Sequence, residues 1–172
     1  MKVRKISDLL IRVLILVFIL FNFGCDQVTK NMVRDRVDYH ANIKVINDHI
    51  TLTKVENTGA FLSAGDTLSA PLKFVLLTLL PLLTLLFGLY MVMRKQNMPA
   101  ILVVGICFVI GGGVGNLYDR IIYGSVTDFL HIDFVIFQTG VFNVADMSIM
   151  AGMALIIINS FYKKEILTPT EA

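Results

Sequence analysis

Four long apolar stretches constrain this chain more than anything else in it: Leu9–Cys25, Phe74–Met93, Met98–Leu117 and Val141–Tyr162. Crossing about 30 Å of hydrocarbon takes roughly 20 residues of helix at about 1.5 Å each. The first stretch is interrupted only by Arg12, near its start, where the long side chain snorkels to the headgroups. The second and third carry no charge, and the fourth carries only Asp146. In lipid every backbone group must find its partner internally, so these stretches are predicted to be helices. Pro81 is expected to kink the second, and Pro99 suits the first turn of the third. The predicted class is a mainly α membrane protein with four transmembrane helices, one domain over residues 1–172.

Composition agrees. Hydrophobic residues make up 56% of the chain and charged residues 16%, against roughly 45–50% and about 25% in soluble domains. The mean hydropathy is +0.75. A soluble enzyme, a disordered tail and a nucleic-acid-binding module are therefore poor readings, and a net charge of +2 is too small to attract a polyanion. Cys25 and Cys107 both sit in apolar runs, which argues against a disulfide framework and a thiolate zinc site. With no tryptophan, any aromatic belt must come from Tyr and Phe.

Cationic flanks set the expected orientation. Lys2, Arg4 and Lys5 precede the first span and Arg12 lies near its start, Arg94 and Lys95 follow the second, and Lys163 and Lys164 follow the fourth. The connection between spans three and four has only Arg120. The longer first connection mixes Lys30, Arg34, Arg36, Lys44 and Lys54 with acids. Both termini are therefore expected in the cytoplasm and both long connections outside. A cleaved leader is the rival for the first stretch, because Asn22-Phe23-Gly24-Cys25 resembles a lipoprotein cleavage box. Asn22 and Phe23 do not suit that box, so the stretch reads as a retained span.

The outer connection 26–71 alternates apolar and polar residues around an Asn47-Asp48 turn, with Ile43 and Val45 before it and Ile50 and Leu52 after. That pattern predicts a small β-hairpin leaning on the helices or the membrane surface. The outer connection 119–140 contains Phe129–Phe137, too short and polar to span, which reads as either a surface-lying or a strand-like element.

With this topology the unusual polar residues share one height. Asp26 and Lys30 leave the outer end of span one, and Asn57 lies in the first outer connection. Asn116, Asp119 and Arg120 end span three on shared helical faces, Asp128 follows in the loop, and Asn143 and Asp146 open span four at i,i+3. Asp146 is expected about five residues into its helix, roughly 7 Å below the outer end. An acid inside a span is a functional hypothesis by default. Taken singly, the others read blandly: Asp26–Lys30 as a helical ion pair, Asn57 as a turn residue, Asp133 as a solvated loop residue. His40, His49 and His131 lack metal-ligand spacing. Gly111-Gly112-Gly113-Val114-Gly115 suits close helix packing, and no Lys-Ser/Thr follows to make a phosphate loop. The residues alone leave Asp119, Asp128 and Asp133 as possible partners for Asp146.

Five stretches occur in order: 26–30 (Asp-Gln-Val-Thr-Lys), 57–61 (Asn-Thr-Gly-Ala-Phe), 111–120 (the glycine run through Asn116 to Arg120), 126–129 (Val-Thr-Asp-Phe) and 142–146 (Phe-Asn-Val-Ala-Asp). Together they resemble the signal peptidase II, or lipoprotein signal peptidase, family over nearly the whole chain. One departure is Gly113, where the family commonly has Ala. The resemblance implies an aspartic peptidase of the bacterial cytoplasmic (inner) membrane. It would cleave diacylglyceryl-modified prolipoproteins just before the lipidated cysteine, at the outer face. Carried over, Asp128 and Asp146 are the catalytic pair. Asn57, Asn116, Arg120 and Asn143 match substrate-groove positions, and Asp26, Lys30 and Asp119 match supporting ones. The resemblance also implies a small extracytoplasmic β-cradle and inhibition by globomycin-type cyclic peptides. Membrane lipids are the expected surroundings, with no nucleic acid, no metal and no cofactor, and the chain is expected to be a monomer.

Two close carboxylates suit amide hydrolysis because they tend to share one proton: one member takes a proton from water while the other polarises the carbonyl. The competing class is a membrane proton or ion pathway, or a scaffold. It would need a polar ladder toward the cytoplasm, which the uncharged second span does not supply. A third class, a lipoprotein anchored through Cys25, would lose the first span.

Overall fold

The computed structural model describes residues 2–46, 49–60, 64–94, 98–134 and 136–167. The expected Asn47-Asp48 turn, Phe61, Lys95 and Val135 lie outside the described residues, as do the side chains of Lys2, Arg4, Lys5, Lys163 and Lys164.

Helix α1 (Lys2–Arg36) runs well past the apolar stretch that predicted it. Its C-terminal third stays helical because Asp26, Gln27 and Lys30 point into the protein and find partners there. Helix α2 (Ala70–Arg94) begins after Ser69, with Pro71 in its first turn. Phe74–Leu79 widens into a π-helical turn, in which the Leu80 N–H donates to the Val75 carbonyl. The widening directly precedes Pro81, which has no N–H and whose ring clashes with the carbonyl four residues back in a regular helix. The expected kink thus takes the form of a π-turn.

Helix α3 (Ala100–Tyr123) follows Pro99 directly and stops at Gly124, whose φ of 77° is the left-handed conformation that ends a helix. Helix α4 (Val144–Leu167) starts three residues later than its apolar stretch. Asp146 therefore sits in the first turn, not a turn and a half below the helix end. The reason is local: Asn143 caps the helix from outside it.

All four helices are long and apolar enough to cross a membrane. Helix α3 packs against each of the other three. The core between α1, α2 and α3 contains Ile15, Ile19, Leu85, Val92, Cys107 and Ile110. Lipid is as apolar as these side chains, so close backbone approach, not water exclusion, draws such helices together. At Gly112 a Cβ would overlap the Ala145 carbonyl oxygen of α4, so only glycine permits this crossing.

Outside the helices lies a three-stranded antiparallel sheet in the order β1 (Ile43–Ile46), β2 (Ile50–Asn57), β3 (Val126–Ile132). The first two strands are the expected hairpin. The third resolves the open question over 129–137: the segment is a strand as far as Ile132, after which Asp133 pairs back with Gln138. In register, Glu56 faces Thr127 and Asn57 faces Val126. Phe129 of β3 packs on Val33 and Val37, which seats the sheet on the C-terminal end of α1.

Candidate active site

At the start of α4 the chain forms a reciprocal cap. The Asp146 N–H donates to Asn143 Oδ1 at 2.9 Å, and the Asn143 N–H donates to Asp146 Oδ2 at 3.1 Å. This is the capping-box arrangement, with both ends of the pair short enough to close it. The third free N–H of that turn, on Ala145, donates to Asp26 Oδ1 of α1 at 2.9 Å. Two carboxylates therefore meet the positive end of one helix, where negative charge is favoured.

Asp128 comes from the middle of β3. Its Oδ1 accepts from Asn143 Nδ2 at 2.6 Å, and its Oδ2 accepts from Asn57 Nδ2 at 3.0 Å. Asn57, the last residue of β2, is fixed in turn: its Oδ1 accepts the Gly59 N–H, and its Nδ2 also donates to the Ala60 carbonyl. From α3, Asn116 Nδ2 donates to Asp146 Oδ1 at 2.8 Å, while Asn116 Oδ1 accepts from Lys30 Nζ at 2.9 Å and Asn143 Nδ2 at 3.2 Å. Arg120, one turn on, donates to the Gly59 carbonyl at 2.8 Å and to the Asn116 carbonyl at 3.3 Å. The Asn143 residue thus touches both Asp128 and Asp146, through its side chain and its backbone.

These groups line one cavity of about 270 Å³, with Asn57, Asn116, Arg120, Asp128 and Asp146 on its polar side and Leu76, Leu77 and Pro81 of α2 on its apolar side. Asp128 is 3% exposed. Burial pushes its carboxyl up to about 6; the Asn57 and Asn143 amides pull it down and the neighbouring Asp146 pushes it up. A carboxyl that holds its proton up to about pH 6, beside a second carboxylate in a partly dry cleft, is equipped for acid–base work on a bound amide. A larger cavity of about 500 Å³ among α1, α2 and α3 is lined almost wholly by apolar side chains, with Asp8 and Arg12 among them, and has no such pair.

Of the three acids left open as partners for Asp146, Asp128 alone lines this cavity. Asp133 lies beyond the far end of β3, its N–H donating to the His49 carbonyl. Asp119 turns toward α1 although it shares a helical face with Asn116: its Oδ2 lies 3.2 Å from Lys30 Nζ and 2.9 Å from Arg34 Nη2. Lys30 also pairs with Asp26 at 2.8 Å, with both side chains fully buried. The helical ion pair is thus part of a buried network in which Lys30 and Arg34 balance Asp26 and Asp119. Gln27 completes it, donating to Asp26 Oδ2, the Gly115 carbonyl and Asp119 Oδ1.

Sequence reasoning passed over Gln27, Arg34, Glu56, Ser125 and Thr127. Gln27 had a signal, since it is polar beside Asp26 at the end of an apolar span. Arg34 shares the face of Lys30 one turn on. Glu56, Ser125 and Thr127 had none: the Ser125 and Thr127 hydroxyls donate to the Glu56 carboxylate at 2.6 and 2.9 Å, a link that depends on β2 and β3 pairing.

A model of the family described as signal peptidase (SPase) II matches residues 16–162. A lipoprotein signal peptidase of Maridesulfovibrio salexigens is 37% identical over 143 residues, covering 81% of this chain and 89% of the relative. One from Aquifex aeolicus is 30% identical over 162 residues, covering 94% and 90%. A solved bacterial membrane enzyme, determined by the in meso method at 2.3 Å resolution, superposes with a TM-score of 0.80 at 25% identity, covering 92% of this chain and 93% of that one.

Proposed function

The chain belongs to the signal peptidase II family, and from that premise we propose that it is an aspartic endopeptidase that removes the signal peptide from diacylglyceryl-modified prolipoproteins, with Asp128 and Asp146 as its catalytic pair. The observation that carries the pairing is the shared cavity in which Asn143 hydrogen-bonds to both carboxylates. Asp146, which accepts from Asn116 Nδ2 and the Asn143 N–H, is the member we assign to receive the proton of the attacking water. Asp128, raised to about 6, is suited to hold the proton.

In this reading a water between the two carboxylates gives a proton to Asp146 as its oxygen bonds to the scissile carbonyl carbon, while Asp128 donates a hydrogen bond to the carbonyl oxygen. The amide nitrogen then takes the Asp128 proton as the C–N bond breaks, and the proton taken from water stays on Asp146, so the pair again holds one. The products are a signal peptide ending in a carboxylate and a lipoprotein beginning with the free amine of its lipidated cysteine. Side-chain amides of Asn57 and Asn116 and the Arg120 guanidinium are placed to hold the substrate backbone, and Leu76, Leu77 and Pro81 offer an apolar wall toward the lipid side. Asp26, Lys30 and Asp119 act as supports beneath them. The cationic flanks favour cytoplasmic termini and a site at the outer face of the cytoplasmic membrane, the height at which a lipid-anchored cysteine meets its signal helix. A monomer sufficient for turnover, and competition by globomycin-type cyclic peptides at this cavity, complete the proposal.

The test is a cleavage assay with purified protein in detergent and a diacylglyceryl-modified lipobox peptide. Cleavage before the modified cysteine is expected. Asp128→Asn and Asp146→Asn are each expected to lose activity by 10³-fold or more, on the order of 4 kcal/mol in transition-state stabilisation, with unchanged helical content. Full activity in either variant refutes the pair.

A further inference from the structure

Thr127 stands immediately before Asp128 on β3, and strand alternation sends the two side chains to opposite faces. Asp128 turns to the cavity, and Thr127 turns to α1, where it is gripped from three directions. Arg34 Nε donates to its hydroxyl oxygen at 2.9 Å, that hydroxyl donates to Glu56 Oε1 at 2.9 Å, and its N–H donates to Asp119 Oδ2 at 3.3 Å. Arg34 Nη2 lies 2.9 Å from the same Asp119 oxygen. One guanidinium therefore ties the end of α1 to α3 and to β3 at once. Arg34 is itself well held: its guanidinium lies 4.0 Å from the Tyr123 ring centre, its Nη1 donates to Asn31, and its carbonyl accepts from Lys54 of β2. Thr127 is fully buried, and Arg34 does not line the cavity.

We propose that Arg34 is a positioning residue for the reaction: by clamping Thr127 against Asp119 it sets the rotation of β3 about its own axis, and hence the aim of the Asp128 carboxylate. The inference rests on the catalytic reading of Asp128. A rotation of the strand by a few degrees moves that carboxylate relative to Asp146, while Asn57, Asn116 and Arg120 line the groove from other elements, and misplacement by about 1 Å can cost on the order of 100-fold in rate. The guanidinium joins an Nε–H aimed at Thr127 to a charge centred beside Asp119 at a fixed separation, which a lysine ammonium does not.

The experiment is a double-mutant cycle on kcat and KM with the diacylglyceryl-modified lipobox peptide. Arg34→Met and Thr127→Val are each expected to lower kcat by roughly 10- to 100-fold with KM changed by less than about twofold. The double variant is expected to be no slower than the slower single variant, because both changes cut the same link. Thr127→Ser, which keeps the hydroxyl, is expected to turn over within about twofold of the parent. Wild-type kcat in Arg34→Met and Thr127→Val, losses that multiply in the double variant, or a rise in KM alone each overturn the inference. If Arg34→Met does not purify folded, Arg34→Lys keeps the charge beside Asp119 and must show the same kcat loss; parental kcat there overturns the clamp equally. Asp128→Asn in the same assay separates the two levels. Retained activity in that variant removes the catalytic reading and this inference together, whereas an inactive Asp128→Asn beside fully active clamp variants removes this inference alone.

Discussion

At the residue scale, Asp128 is where opposing influences meet. Burial raises its carboxyl to about 6 and Asp146 adds to the rise, against two amide donors that favour the ionised form. The sign follows directly. The reactive state holds one proton on the pair, so raising the pH through the value for Asp128 removes that proton and slows turnover. The kcat/KM profile is therefore expected to fall on its alkaline side with an apparent pKa no lower than about 6, and the kcat profile to fall at higher pH still, because bound substrate dries the cleft further. A kcat/KM that keeps rising from pH 5 to pH 10 contradicts this. The same scale shows why the acids could not be ranked from the sequence. Asp119 and Asp128 are both acids near the C-terminal end of α3, yet one is neutralised by Lys30 and Arg34 and the other is not.

At the scale of elements, α3 is the hub, and its glycine run is read by different neighbours in turn. Gly112 meets the backbone of α4, and Gly115 leaves room for the Asp26 carboxylate. A side chain at Gly112 must push α4 away and carry Asn143 and Asp146 with it. Gly112→Leu is expected to lower the melting temperature in detergent by several degrees and to cost most of the activity. Gly24→Ala on α1, where nothing lies within 4 Å of the added Cβ, is expected to leave activity unchanged and to add about 0.5–1 kcal/mol of helix stability. Equal effects of the two substitutions in a thermal-shift assay would rule out close packing at Gly112 as the cause. Close packing along this run was legible from its small residues alone. That Asn143, and not Val141 at the head of the apolar stretch, would begin α4 was not, because a cap is a side-chain contact and an apolar stretch marks only where lipid is tolerated.

At the scale of the molecule, the polar residues that line the cavity and the buried charges beside it lie at one end of the four helices, under the three-stranded sheet. Which side of the membrane that end faces is an expectation from the cationic flanks. In a background of Cys25→Ser and Cys107→Ala, Asn42→Cys is expected to react with a membrane-impermeant thiol reagent in intact spheroplasts, and Met98→Cys only after lysis. The reverse pattern would invert the orientation.

The number of spans and their approximate positions were determined by the sequence alone, as were the hairpin and the gathering of unusual polar residues at one end of the spans, though not the parts of Gln27, Arg34, Glu56, Ser125 and Thr127 in it. These follow from local quantities: transfer of each residue to lipid, the period of a strand, the spacing of a helical face. The tertiary structure alone decided that 126–132 joins the hairpin as a third strand, that Asp119 faces α1 while Asp128 faces the cleft, and that Asp146 stands in the first turn of its helix. Those outcomes depend on which distant segments meet. A side chain's neighbours across 15 to 119 residues of chain, as for Asn143 with Asp128 and Ala145 with Asp26, are set by packing that no local pattern encodes.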